Sequence, residues 1–158
     1  MSKDWFMKFR ASVAAVFFVT VIGCSGNTLN TKLDSIEEAM FAGDAGAVEA
    51  LLKSGHDANG SGPRGIPYVH VATGPKGRAS CLRVILEAGA DPDTMHNGYT
   101  PLMNAASWLH VDSCRLLVQY GASITTRAPD GRLAIDMVGN PSSYDAQQIR
   151  ELLSVPDS

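Results

Sequence analysis

Few residues of this 158-residue chain have both the type and the spacing that chemistry needs. Gly60-Ser61-Gly62-Pro63-Arg64-Gly65 has the glycine spacing of a dinucleotide loop, in which bare backbone approaches a pyrophosphate at a helix N-terminus. That chemistry needs an apolar strand before the loop and a βαβ unit around it, and neither surrounds Gly60, so the segment reads as a loop. Asp91-Pro92-Asp93 followed by Asn97 has the start of a calcium loop, but Leu102 stands where a bidentate carboxylate must close the coordination sphere. His56, His70, His96 and His110 form neither a His-Glu-x-x-His pair nor a close Cys/His cluster. No serine sits in a nucleophile elbow and no pair of acids has a credible common pocket. The expectation is a protein without catalytic residues, metal ligands, cofactor or small-molecule substrate.

The cysteines divide into one near the N-terminus and two within the body of the chain. Lys3, Lys8 and Arg10 precede the apolar run from Ala11 to Ile22, after which comes Gly23-Cys24-Ser25. Twelve helical residues reach only about 18 Å against a bilayer core of about 30 Å, so the run suits the apolar region of a signal peptide better than a membrane span. Val21-Ile22-Gly23-Cys24 resembles the lipobox of bacterial lipoproteins. The resemblance implies acylation of Cys24, cleavage before it, and a periplasmic protein anchored by lipid. Ser25 after the cysteine, in place of Asp, implies the outer membrane. An ordinary secretory signal and an uncleaved anchor are the alternatives. The expected organisation is a signal peptide over 1–23, a lipidated cysteine and polar tether over 24–31, and a folded domain over 32–158.

Cys81 and Cys114 then remain, one residue out of register with each other in the pattern described below. They read as buried or half-buried thiols; a bridge between them stays open, since it requires Cα atoms within about 7 Å. Without Lys3, Lys8, Arg10 and Asp4, the mature chain carries ten Lys and Arg against fifteen Asp and Glu. That acidic balance argues against nucleic acid as a partner, because phosphate binding wants a basic face.

What must position any functional residue is a repeat. Gly65, Gly98 and Gly131 are spaced 33 residues apart, and each opens a similar stretch. The clearest is Gly98-Tyr99-Thr100-Pro101-Leu102-Met103-Asn104-Ala105-Ala106, and the alignment places Val69, Leu102 and Ile135 at one apolar position. A fainter earlier copy puts Ile36 there. Each unit closes alike, with Leu51-Leu52-Lys53-Ser54-Gly55, Ile85-Leu86-Glu87-Ala88-Gly89 and Leu117-Val118-Gln119-Tyr120-Gly121. Thr100 before Pro101 predicts an N-cap and a first-turn proline, hence a helix to about Trp108. Cys114, Leu117 and Val118 predict the apolar face of a second helix, about Asp112 to Tyr120, with Gly121 as its left-handed cap. Asn97-Gly98 and Asp130-Gly131 predict tight turns in projecting fingers. Such a unit cannot bury its apolar face alone, so a minimum of about three stacked units is needed, and four copies are visible.

This pattern resembles the ankyrin repeat, whose units read Gly-x-Thr-Pro-Leu-His-x-Ala-Ala, a second helix ending Leu-Leu, then Gly-Ala-Asp. The resemblance covers roughly residues 32 to 153 and departs where Pro67-Tyr68 replaces Thr-Pro, where Met103 replaces the usual His, and where one residue is inserted within Thr73-Gly74-Pro75-Lys76. It implies an all-α solenoid of about four helix-turn-helix units with hairpin fingers. It also implies a structural role for His70 and binding of another protein through finger tips and the exposed side of each first helix. Carried onto this chain, the variable positions are Ile66, Tyr99 and Arg132 after the repeat glycine, and Val71, Asn104 and Met137 inside the first helix. Met95, His96 and Arg127 of the fingers and Trp108 at a helix end extend the surface. Tyr99 and Trp108 lead the candidates, because rigidly held aromatics supply large contact area, with packing between repeats as the competing role. Asp34, Glu37, Glu38, Asp44 and Glu49 are expected to form the hydrophilic cap of the first unit. The chain resembles small bacterial ankyrin lipoproteins, and periplasmic lipoproteins include immunity proteins. The expected function is therefore inhibition of a secreted antibacterial toxin, such as a type VI secretion phospholipase, with an envelope scaffold or stabilising adaptor as the alternative.

Overall fold

The sequence's 33-residue period becomes a row of helix pairs. The computed structural model describes residues 35–154; the expected signal segment, Cys24, the tether and Asp34 lie outside the described residues. The pairs are α1 (Ile36–Ala42) with α2 (Ala45–Lys53), α3 (Tyr68–Ala72) with α4 (Ala79–Glu87), and α5 (Pro101–Ser107) with α6 (Val111–Gln119). The fourth pair is a 3-10 turn (Ala134–Met137) with α7 (Tyr144–Leu153).

Local chemistry sets the helix ends. Ser35 Oγ accepts the Glu38 amide at 3.2 Å, Asp44 Oδ1 accepts that of Ala47 at 2.9 Å, and Thr100 Oγ1 accepts that of Met103 at 3.3 Å. The C-termini of α2, α4 and α6 share one device. The amides of Gly55, Gly89 and Gly121 reach back to Leu52, Leu86 and Val118, and the next amide in each case reaches Leu51, Ile85 and Leu117. This double closure needs a left-handed residue, and the three glycines have φ of 104°, 90° and 87°.

The fingers project between pairs. His96 and Tyr99 exchange both backbone hydrogen bonds, at 3.0 and 3.1 Å, around Asn97-Gly98, whose φ values of 52° and 84° suit a two-residue hairpin turn. Successive fingers are stapled four residues beyond each cap glycine. Asn59 accepts the Asp91 amide at 2.7 Å and donates to Gly89 O at 3.2 Å, while Asp93 accepts the Ser123 amide at 2.9 Å. The carboxylate of Asp93, part of the apparent calcium motif, thus ties one finger to the next.

The core lies between the helix pairs. Leu82, Ile85, Leu102, Leu117 and Ile149 are fully buried, and Ala72, Ala105 and Ala106 leave room for neighbouring first helices to approach. Cys81 and Cys114 are buried in α4 and α6 without a bridge. Burial pushes the Cys114 thiol up to about 12 and that of Cys81 above its ordinary value, so both stay protonated.

Three expectations require correction. The fourth unit does not repeat the third: Ile135, aligned with fully buried Leu102, is only half-buried, because a 3-10 turn presents its side chains at a different angular spacing from an α-helix. On α6, Leu116 is buried beside Leu117 whereas Val118 is half-buried, since this helix packs against α4, α5 and α7. The first unit's acids are not a uniformly solvated cap either. Glu37 is buried, and its Oε1 accepts Arg64 Nε at 2.9 Å and Nη2 at 2.5 Å, so the first finger locks onto α1.

Candidate functional site

The first helices of the four units and the fingers beside them line one open groove of about 890 Å³. It runs from Met40 and Phe41 at the end of α1, past the first helices of the next two units, to Arg132 and Met137 in the fourth. The second and third units contribute from the same places, the residue after the repeat glycine, the first helix and the loop that follows it, whereas the first unit adds only the end of α1 and the fourth only Arg132 and Met137.

Seven of the nine partner-surface candidates meet there: Ile66, Val71, His96, Tyr99, Asn104, Trp108 and Arg132. Met95 is exposed on its finger outside the groove lining. Arg127 also stays outside, where its Nη1 donates to Gly131 O at 2.7 Å and braces its own turn. Asn104 lines the groove but also ties two units together, since its Nδ2 donates to Thr73 Oγ1 at 3.2 Å and to His70 O at 3.4 Å. Tyr99 and Trp108 remain 37% and 49% exposed, so packing between repeats leaves much of each ring available.

Polar geometry around the groove is mostly structural. His70, buried on α3, holds Thr94 O at 2.7 Å through Nε2, tying the helix to the finger that ends its unit. Burial lowers its pKa, opposed by that carbonyl and reinforced by His96, whose ring centroid lies 5.4 Å away. His110 Nε2 lies 3.1 Å from Gly74 O, and Arg78 donates to Phe41 O; both residues begin a second helix and reach back to the preceding unit. Arg132 bonds Asp130, with Nε 2.7 Å from Oδ2. Among the described residues, no three His, Cys, Asp or Glu side chains group so as to hold a metal ion. The glycine-rich segment 60–65 is the first finger, bridged between Ser61 and Pro67.

Sequence reasoning missed Phe41, Arg64, Lys76 and Arg78, all of which line the groove. A signal for Lys76 existed: counted from the loop residues Gly77 and Leu109, it takes the place of Trp108. The inserted residue in the second unit hid the equivalence.

Comparison with known proteins gives the same frame. A family model described as ankyrin repeats, in three copies, matches residues 36–128. Two curated relatives, the ankyrin repeat and SOCS box protein 11 of Homo sapiens and that of Pongo abelii, are each 32% identical over 111 residues, 70% of this chain. The chain spans about a third of those relatives, 34% of their length. The crystal structure of the human ASB11 ankyrin repeat domain superposes with a TM-score of 0.67 at 30% identity, covering 78% of this chain and 54% of that one.

Proposed function

Because this chain belongs to the ankyrin-repeat family, we propose that it is a non-catalytic module that holds a partner protein in the groove between its fingers and first helices. The observation that carries the reading is the convergence of Ile66, Val71, Tyr99 and Trp108, from two fingers and two helices, on one open surface. Three of these are apolar or aromatic side chains held at defined spacing by packed helices, and Tyr99 adds a hydroxyl. Such side chains bind at low entropic cost.

The module works from a membrane. Lys3, Lys8 and Arg10, the apolar run to Ile22 and the sequence Val21-Ile22-Gly23-Cys24 support a periplasmic protein carried on lipid at Cys24, with 1–23 removed and 24–31 as tether. Anchored at the outer membrane with no catalytic machinery, it acts as an immunity protein that occludes a secreted lipase-type toxin where the toxin meets its substrate. Holding a resident envelope enzyme in place is the alternative, and the partner distinguishes the two.

The test is capture by the full chain, extracted in mild detergent, from envelope extract and from extracts containing candidate secreted toxins. A single stoichiometric toxin, lost with Tyr99→Ala plus Trp108→Ala, supports immunity. A resident envelope protein lost with the same pair moves the reading to scaffolding, and a partner indifferent to the pair overturns the groove as its site. Separately, Cys24→Ala is expected to abolish incorporation of labelled palmitate; unchanged labelling rejects Cys24 as the anchor.

A further inference from the structure

Four cationic side chains line the groove, Arg64, Lys76, Arg78 and Arg132, and no Asp or Glu does. Residues 35–154 contain nine Lys and Arg against thirteen Asp and Glu. Nearly half of the cations and none of the acids therefore face one opening of an otherwise acidic surface. We infer that the segment captured there is acidic: an extended stretch of partner protein that sets carboxylates beside an aromatic or aliphatic side chain. This rests on the groove being the partner site, and deepens that reading by naming the partner's chemistry.

The four cations are not equivalent. Arg64 is bonded to buried Glu37 and lies over the Phe41 ring at 5.0 Å, and Arg132 is bonded to Asp130. Lys76 and Arg78, in the loop between α3 and α4, have no carboxylate of the described residues within ion-pair distance. Arg78 is fixed by the Phe41 carbonyl, so its charge is held in place. Uncompensated positive charge thus stands next to the 47% exposed ring of Phe41 and near the apolar side of Val71. A carboxylate placed there gains attraction strengthened by the low-dielectric walls, whereas a neutral or basic segment gains none.

A peptide fits this lining better than a phosphate polymer. Ile66, Val71, Trp108 and Met137 offer apolar contact that a phosphodiester chain leaves unfilled, and the acidic surface outside the groove repels a charge that repeats beyond it. Helices packed about 10 Å apart make the row from second to fourth unit roughly 20 Å long, the reach of about six extended residues. Electrostatic complementarity of this kind acts first on association rate and on partner choice.

The experiment pans a random library of peptides about ten residues long against the full chain in mild detergent. Winners are then measured by fluorescence anisotropy, with single-stranded oligothymidylate and phosphatidylglycerol vesicles as competitors. Winners are expected to be enriched in Asp and Glu around an aromatic or aliphatic residue, to lose about tenfold in affinity with Lys76→Glu, and to weaken with salt. Lys76 is an exposed loop side chain, so this variant is expected to fold, and an unchanged melting temperature checks that. Neutral or basic winners that are lost with Trp108→Ala overturn the acidic partner while leaving the groove as a protein site. Winners indifferent to both Trp108→Ala and Lys76→Glu overturn both readings. No enrichment overturns the acidic segment, and tight binding of the oligothymidylate or the vesicles that Lys76→Glu removes replaces it with a phosphate ligand.

Discussion

The third and fourth units carry the same 33-residue frame, yet only the third forms a full first helix. Thr100 caps α5, whose seven α-helical residues begin with Pro101 in the first turn. In the fourth unit Leu133 and Ala134 stand at those positions, with no side-chain oxygen to cap the turn, and Pro141 closes the stretch; four residues of 3-10 turn result. The Leu133 amide is met instead from ahead, by Asp136 Oδ2 at 2.9 Å. The second unit is intermediate, since Pro67 provides no capping oxygen and α3 has five residues. Cap chemistry therefore grades first-helix length along the solenoid while the apolar frame stays in register.

Because of that difference, equivalent positions should cost unequal amounts. Leu102→Ala, at a fully buried site between units, is expected to destabilise by about 2–5 kcal/mol, and Ile135→Ala in the fourth unit by less than half as much. Urea midpoints of the two variants decide it, and equal losses would mean that the fourth unit is packed like the third.

The loops between paired helices sharpen the contrast. Gly77 has φ of 49°, and a Cβ there would meet the His110 ring at 2.8 Å. Leu109, at the matching place one unit later, keeps φ of 58° with a full side chain, and the residue that begins the next helix is the short Ser143. Gly77→Ala is expected to cost about 1–2 kcal/mol through backbone strain and displacement of His110. Leu109→Gly should change stability by less than about 1 kcal/mol, because relief of strain offsets lost packing. Thermal unfolding of both checks the pair.

Capping is a smaller effect. Thr100→Ala is expected to cost about 1 kcal/mol, whereas Leu133→Ala removes no cap and should leave amide exchange over residues 134–137 as it was. Faster exchange over 101–107 in the first variant alone would show that the cap sustains α5.

The smallest expected effect separates His70 from Met103, its counterpart one unit later. Burial lowers the folded pKa of His70 below its ordinary 6.5. Between the ordinary and folded values the unfolded chain binds more protons, so stability is full above about pH 6.5 and falls as pH falls through that window. His70→Met should remove this part of the slope. Urea titrations of both proteins at about pH 7.5 and about pH 5 test it; an identical loss in the variant would assign the slope to other groups.

Much of the site was legible because the repeat converts sequence position into place. Tyr99, Ile66 and Arg132 follow a repeat glycine, so they line one wall whatever their identities, and Val71 and Asn104 follow from the same frame. Met95 and Arg127 lie outside the groove lining, since a frame gives a finger but not the direction of its side chains. Arg127, exposed, folds back on its own turn and donates to Gly131 O.

The sequence by itself determined the helix pairs, their cap glycines and the hairpin turn, because each depends on residues within one turn of each other: Thr100 with Met103, Gly121 with Val118, Asn97 with Gly98. Only the tertiary structure decided that Glu37 is buried under Arg64, 27 residues away, that Asn104 ties two units, and that Lys76 and Arg78 join Phe41 on one lining. Those outcomes depend on how far each side chain reaches once the units are stacked, and an inserted residue in one loop is enough to change which side chains meet.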